Sequence, residues 1–277
     1  MQRNKVTIAE LLQKKERGSK ITMMTAYDYP TARLLDEVGI DSILVGDSLA
    51  MVVLGYESTV PVTMDEMIHH CRAVNRGAKA SFMIGDMPFM SYQASVEKAV
   101  ENAGRFMKEA GCDAVKLEGG SEMASVVRAI VRSGIPVCGH IGLTPQTATM
   151  LSGFKVQGKD AESAKALLHS AKDLESAGTF MIVMECIPDI LGSKITRELK
   201  IPTVGIGAGK DCDGQVLVYH DVVGLFERFR PKFVKQYINL SPMIREALLQ
   251  YKTEVEEGIF PGPEHTFAMR PEEAEKI

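Results

Sequence analysis

The chain has no tryptophan, and aromatic residues make up only 6% of its 277 positions. Platforms for stacking nucleic-acid bases are therefore scarce. Basic residues are outnumbered, 32 against 36, and the net charge of −4 offers no general attraction to nucleic acid or anionic lipid. No stretch approaches the roughly 18 apolar residues of a membrane span, and the first twenty residues hold no apolar signal core before a small-residue cleavage site. The five cysteines, Cys71, Cys112, Cys138, Cys186 and Cys212, are odd in number and form no C-x-x-C pair. Reduced thiols in a cytoplasmic protein fit better than a disulfide framework. Apolar residues at 45% and charged residues at 25% are those of an ordinary globular chain.

What is present is alternation. Eight short apolar runs, at 21–27, 42–48, 81–87, 114–120, 136–142, 180–186, 202–208 and 215–221, are separated by longer segments. Several runs are apolar on almost every residue, as parallel strands covered on both faces require. Between them, Val96–Ala110 and Ala161–Ala177 carry apolar residues three and four apart and read as helices, ended by Gly111 and Gly178. Eight strands alternating with helices predict an α/β fold, a (β/α)8 TIM barrel, with the doubly wound open sheet as the alternative. The seventh and eighth runs lie too close for a full helix between them. The segment Leu49–Pro61 reads as a long loop and Arg245–Glu257 as a helix, followed by a peripheral Pro-rich tail. With no linker or repeat, the expectation is one domain over 1–277. The barrel would occupy about 20–225, with a C-terminal helical extension and tail over about 226–277.

Charged residues recur where the runs end: Asp47, Asp86, Lys116 with Glu118, His140 and Glu185. A single such residue is commonplace. Five of eight strands sharing the habit is not, because in a barrel those ends converge on one mouth, where active sites are built. Lys116 and Glu118, two apart, share a strand face. Three carboxylates in a desolvated cleft would repel one another, and a divalent cation removes that problem. Oxygen-only donors favour Mg²⁺ over Zn²⁺. His69-His70-Cys71 lies on a helical segment where adjacent side chains diverge, so it reads as structural.

Two motifs mislead. Gly46-Asp47-Ser48-Leu49 spells a serine-hydrolase signature, but the chain has no Asp-x-x-His to activate the serine. Ser48 reads better as a hydrogen-bond donor to an anionic ligand. Gly205-Ile-Gly207-Ala-Gly209-Lys210 satisfies neither the Walker nor the dinucleotide-binding pattern. It reads as a tight turn, or failing that as an anion seat after strand seven.

The runs TAYDYP, VGDSLAMVVLGYEST, IGDMPFMSY, AVKLEGG, GHIGLTPQ and GIGAG, in this order from about Lys20 to about Ala268, closely resemble the ketopantoate hydroxymethyltransferase family. The resemblance implies a barrel of the phosphoenolpyruvate/pyruvate-binding type. It also implies transfer of a hydroxymethyl group from 5,10-methylenetetrahydrofolate to 3-methyl-2-oxobutanoate, giving 2-dehydropantoate on the way to pantothenate and coenzyme A. It assigns Mg²⁺, one per subunit, to Asp47 and Asp86, with Glu118 reaching it directly or through water. It gives substrate contacts to Asp47, Ser48, Asp86, Lys116 and His140, and the role of base to Glu185. It further implies a homo-oligomer, often a decamer, with small-molecule partners and neither nucleic acid nor membrane. Two other readings stand beside it. One is a Mg²⁺-dependent lyase or mutase of the same barrel superfamily acting on an oxo acid without folate. The other is a non-catalytic scaffold, which the presence of Asp47, Asp86 and Glu185 together disfavours.

Overall fold

The computed structural model describes residues 3–151 and 153–277. Its eight strands are β1 (Ile21–Thr25), β2 (Ser42–Val45), β3 (Phe82–Asp86), β4 (Ala114–Lys116), β5 (Val137–Gly142), β6 (Met181–Glu185), β7 (Thr203–Ile206) and β8 (Gly214–Leu217). All pair in parallel in sequence order, and β8 closes onto β1, giving the expected (β/α)8 barrel. The helices are α1 (Ile8–Glu16), α2 (Tyr29–Glu37), α3 (Leu49–Val52), α4 (Met64–Gly77), α5 (Val96–Ala110), α6 (Ala124–Arg132), α7 (Ala161–Ala177), α8 (Asp189–Glu198), α9 (Tyr219–Val223), α10 (Leu240–Glu256) and α11 (Pro271–Ala274). Among the described residues no helix is long and apolar enough to cross a membrane.

Side chains alternate along a strand, so every second residue faces the barrel axis. Met23, Leu44, Phe82, Ile84, Ala114, Cys138, Met181, Val183, Val204 and Val216 form one buried cluster inside the barrel. Continuing the same alternation upward gives the site. Phe82 and Ile84 lead to Asp86, Ala114 to Lys116, Cys138 to His140, and Met181 and Val183 to Glu185. Register adds to this, since Asp86 pairs with Lys116 across β3 and β4. A second cluster, containing Ile43, Val45, Phe106, Val115, Ile130, Leu174 and Ile195, fills the space between strands and helices.

The lower end is closed by α1. Its Leu11 is fully buried in the inner cluster beside Val6 and Ile21. Thr7 and Glu10 cap the helix reciprocally, satisfying two of the backbone donors left free at its start. Lys14 and Lys15 then fasten it to the barrel floor through Asp41 (2.6 Å) and Asp213 (2.7 Å). Both carboxylates also accept strand backbone N–H groups, from Thr22 and Thr203.

Helices α5 and α7 have the bounds read from the sequence, and Gly111 and Gly178 end them in the left-handed conformation. No helix intervenes between β7 and β8, as expected. Three expectations need correction. The Leu49–Pro61 stretch is not loop from its start: Ala50 and Val52 donate to the carbonyls of Asp47 and Ser48, winding α3 directly out of the turn after β2. The run at 215–221 is strand only to Leu217, and α9 then carries Tyr219, His220 and Asp221. Helix α10 begins at Leu240, five residues before the expected Arg245.

One glycine is decisive for the mouth. Gly142, at the end of β5, has φ of +97°, and a Cβ there would lie 2.2 Å from the carbonyl oxygen of Glu185. Gly142→Ala is expected to cost about 2 kcal/mol or more, through left-handed strain and displacement of the end of β6. A melting curve should show a drop of about 5 °C. An unchanged curve would contradict this reading.

Candidate active site

Asp47, Ser48, Asp86, Lys116, Glu118, His140 and Glu185 all line one cavity of about 460 Å³ at the upper mouth. Asp86, Lys116, His140 and Glu185 sit on strands, whereas Asp47 and Glu118 follow the last strand residue. Asp47, Asp86, Lys116, Glu118 and His140 are almost completely buried. Four carboxyl groups thus face one ammonium group in a largely buried pocket.

The contacts show how that charge is held. Lys116 Nζ donates to Asp86 Oδ1 at 2.7 Å and stands 3.9 Å from Glu118 Oε1. The other Asp86 oxygen accepts the backbone N–H of Asp47 at 3.1 Å. Burial lowers the affinity of Lys116 for its proton, but Asp86, Glu118 and Asp47 outweigh that and hold it charged. The carboxyls respond the other way. Burial, then the charge of Asp86, push Asp47 up to about 7 despite Lys116. Glu118 is raised for the same first reason, burial. Glu185 keeps 16% of its side chain exposed, yet desolvation by its surroundings raises it to about 8.

His140 lies between two of these acids. Its Nδ1 is 3.5 Å from Glu118 Oε1 and its Nε2 3.3 Å from Glu185 Oε2. Neither nitrogen makes a hydrogen bond of proper geometry. Burial, helped by Lys116, holds its pKa well below the usual histidine value, so the ring is neutral and carries one proton to donate.

Three residues that sequence reasoning did not assign complete the frame. Gln146, from the 3-10 turn Pro145–Thr147, donates its side-chain amide to Asp47 Oδ2 (3.0 Å) and its backbone N–H to Glu118 Oε2 (3.1 Å). Tyr92 donates to Gln146 Oε1 at 2.7 Å and accepts the backbone N–H of Glu118. Tyr27 shares a 2.8 Å hydrogen bond with Ser48 Oγ and fixes that hydroxyl. All three lie in the runs TAYDYP, IGDMPFMSY and GHIGLTPQ, which was the available signal.

A divalent cation fits this donor set. The acids are oxygen donors, and Asp47 and Glu118 are raised first by burial and then by neighbouring carboxylates, both of which a cation would offset. Among the described residues no three His, Cys, Asp or Glu side chains are drawn together as a closed metal cage. Asp47 and Asp86 adjoin, while Glu118 turns to His140 and Gln146. An open pair of carboxylates suits Mg²⁺, which usually takes one or two and completes its shell with water and substrate oxygens.

The glycine-rich run after β7 serves packing. A Cβ on Gly207 would meet the Phe233 ring at 2.8 Å, and one on Gly209 would meet Asp189 at 2.6 Å. His69 and His70 stack edge to face on α4, and His70 Nδ1 lies 2.6 Å from the Tyr27 carbonyl oxygen, a structural contact.

Known proteins resemble this chain in its barrel and, more closely, over its whole sequence. The solved phosphonopyruvate hydrolase superposes with a TM-score of 0.60 at 12% identity, over 98% of this chain and 94% of that one. A 2,3-dimethylmalate lyase, a member of the PEP mutase/isocitrate lyase superfamily, gives 0.58 at 13% identity over 97% and 93%. These likenesses concern the barrel alone. The 3-methyl-2-oxobutanoate hydroxymethyltransferase of Carboxydothermus hydrogenoformans is 58% identical over 99% of both chains. That of Enterococcus faecalis is 54% identical, again over 99% of both. Residues 5–263 match the family model described as ketopantoate hydroxymethyltransferase. With these matches spanning its whole barrel and the site at its mouth, the chain belongs to the ketopantoate hydroxymethyltransferase family and is an enzyme, a hydroxymethyl-group transferase.

Proposed function

We propose that the chain transfers a hydroxymethyl group from 5,10-methylenetetrahydrofolate to 3-methyl-2-oxobutanoate, forming 2-dehydropantoate for pantothenate and coenzyme A synthesis. One observation carries this reading: Glu185 is raised to about 8 at the rim of a buried acidic cluster that also holds Lys116 and a neutral histidine. That is the equipment for removing a weakly acidic proton next to a carbonyl group. A divalent cation, Mg²⁺ in one copy per subunit, would be held by Asp47 and Asp86 with support from Glu118. When bound it supplies Lewis-acid stabilisation of the enolic form of a 2-oxo acid.

The protein's own groups do the rest. Lys116 offsets the charge of the oxo acid, and Ser48, fixed by Tyr27, donates to its carboxylate. Glu185 takes the proton from carbon 3, leaving an electron pair there to form the bond to the one-carbon unit; the bonds from that unit to the folate nitrogens break, one water supplies the hydroxyl oxygen of the product, and tetrahydrofolate leaves. His140 offers its single proton toward whichever neighbour carries charge. Met51, Val52 and Thr59 bring the Leu49–Pro61 segment to the cavity wall, and this segment is proposed to act as a lid against bulk water while carbon 3 carries its electron pair, admitting the single water the transfer consumes.

We further propose a cytoplasmic homo-oligomer, a decamer by family resemblance. Helix α10 supports assembly: of its residues only Ser241 is buried, while Met243, Leu248, Leu249 and Tyr251 are more than half exposed.

The test is turnover of 3-methyl-2-oxobutanoate with 5,10-methylenetetrahydrofolate and Mg²⁺, with and without chelator. Product is expected only when all three are present. Chelation should lower the rate by at least about 10²-fold. Turnover that ignores folate would instead support a lyase or mutase.

A further inference from the structure

The acidic cluster occupies one part of the cavity. Another part of the wall is built by β8 and the chain beyond it, from Val216, Leu217, Val218, Asp221, Phe226 and Phe229. This part is mainly apolar and aromatic, with Lys232 the cation that the same stretch adds to the lining. The rings of Phe226 and Phe229 meet edge to face, with centroids 5.5 Å apart, and Phe229 leaves 51% of its surface exposed. Phe233 closes the same end from above Gly207.

Asp221 stands out here. It is half-buried on α9, and burial alone raises it to about 6, with no neighbouring cation pulling it down. Among the described residues its carboxylate has no hydrogen bond and no ion pair. Its oxygens are not sealed from solvent, so an unpaired carboxylate on this wall is open to donors carried by a ligand in the cavity. The ligand that would satisfy it is flat and largely apolar, with two adjacent N–H donors on one edge. The 2-amino-4-oxo pyrimidine edge of a pterin has this form, and a carboxylate accepts both donors in parallel.

We infer that this end of the cavity seats the reduced pterin of the one-carbon donor, with Asp221 accepting from its 2-amino group and ring N3–H while Phe226 and Phe229 pack on the ring. This rests on the proposed use of folate and adds the residues that recognise it. It also explains the layout of the cavity. The polar half near Lys116 takes a small anion, and the aromatic half presents the second reactant to it.

The probes are tetrahydrofolate and its 2-desamino analogue, with binding measured calorimetrically on the full chain loaded with Mg²⁺ and 3-methyl-2-oxobutanoate. The unmodified protein should prefer tetrahydrofolate by about 10–100-fold, the range of a charge-assisted contact. Asp221→Asn should weaken tetrahydrofolate by a similar factor and the analogue, which keeps only the N3–H contact, by less, so that the preference shrinks. In steady state, the KM for the folate should rise while that for the oxo acid stays within about twofold. Equal binding of the two probes by the unmodified protein overturns the inference, and needs no variant to fold. So does an unchanged tetrahydrofolate affinity in Asp221→Asn. If the unmodified protein neither binds tetrahydrofolate nor transfers from its methylene form, the parent reading fails as well. Turnover with indifference to the 2-amino group sinks the pterin seat alone.

Discussion

Glu185→Gln is expected to slow exchange of the carbon-3 hydrogen of 3-methyl-2-oxobutanoate with deuterated solvent by about 10²–10⁴-fold, the usual contribution of a positioned base. The amide keeps the shape and the neighbourhood of His140 but accepts no proton at this position. Mg²⁺ binding, followed by titration, should persist, because Glu185 is not among the proposed ligands. Exchange at the full rate in the variant would end the assignment. The pH profile is a second reading of the same group. A base must be ionised, so the rate should climb with pH and level off once Glu185 has lost its proton. Burial places that midpoint at about 8 without a cation. A bound divalent ion favours the carboxylate and moves the midpoint lower. A flat profile between about pH 5 and pH 9 would contradict the role.

The second large effect is metal-linked stability, and its sign follows from the acids. Asp47 near 7 and Glu185 near 8 lie well above their ordinary values near 4. Between those limits these acids, with Glu118 beside them, hold more protons in the folded chain than in the unfolded one, so their contribution to stability falls as pH rises and outweighs the opposite contribution that neutral His140 makes up to its ordinary value near 6.5. The contribution of the protonated groups is complete below about pH 4 and lost through about pH 7–8. Mg²⁺ requires the ionised acids and therefore competes with these protons. In chelated protein the melting temperature should fall across this window. Mg²⁺ at 100 times its Kd should restore about 2.7 kcal/mol, on the order of 5–10 °C. The restoration should be larger at about pH 8 than at about pH 5. Asp86→Ala should abolish the Mg²⁺-induced shift whatever its own melting point, and should weaken the oxo acid with it. A full Mg²⁺ shift in that variant would remove Asp86 from the metal site.

Much of this was legible because strands repeat every two residues. Once Phe82, Ile84 and Asp86 are seen to share a face, a charged residue topping an apolar column can only look into the mouth. The same holds for Cys138 and His140. The bounds of α5 and α7 were legible because capping residues and terminal glycines frame strong periodicity. Gln146, Tyr92 and Tyr27 escaped notice for the converse reason. They are neutral, stand on turns and loops where no period points inward, and act through hydrogen bonds to groups distant in sequence, as Gln146 does with Asp47. Asp221 was hidden by a boundary, since the run that contains it leaves the strand at Leu217 and coils into α9. The early start of α10 escaped for lack of a side-chain cap, as Asn239 makes none.

The plug formed by α1 has a kinetic meaning. With Leu11 seated in the floor and two lysines bolting the helix to Asp41 and Asp213, α1 stops the lower end and the cavity opens at the upper mouth. The acidic cluster is sealed almost completely, whereas Phe229 stands at the threshold. On the proposed reading the smaller reactant must pass before the larger one settles behind it. The spent folate must depart before the newly lengthened acid can follow. On that reading an ordered sequence follows from the closed end of the barrel, on the opposite side from the chemistry.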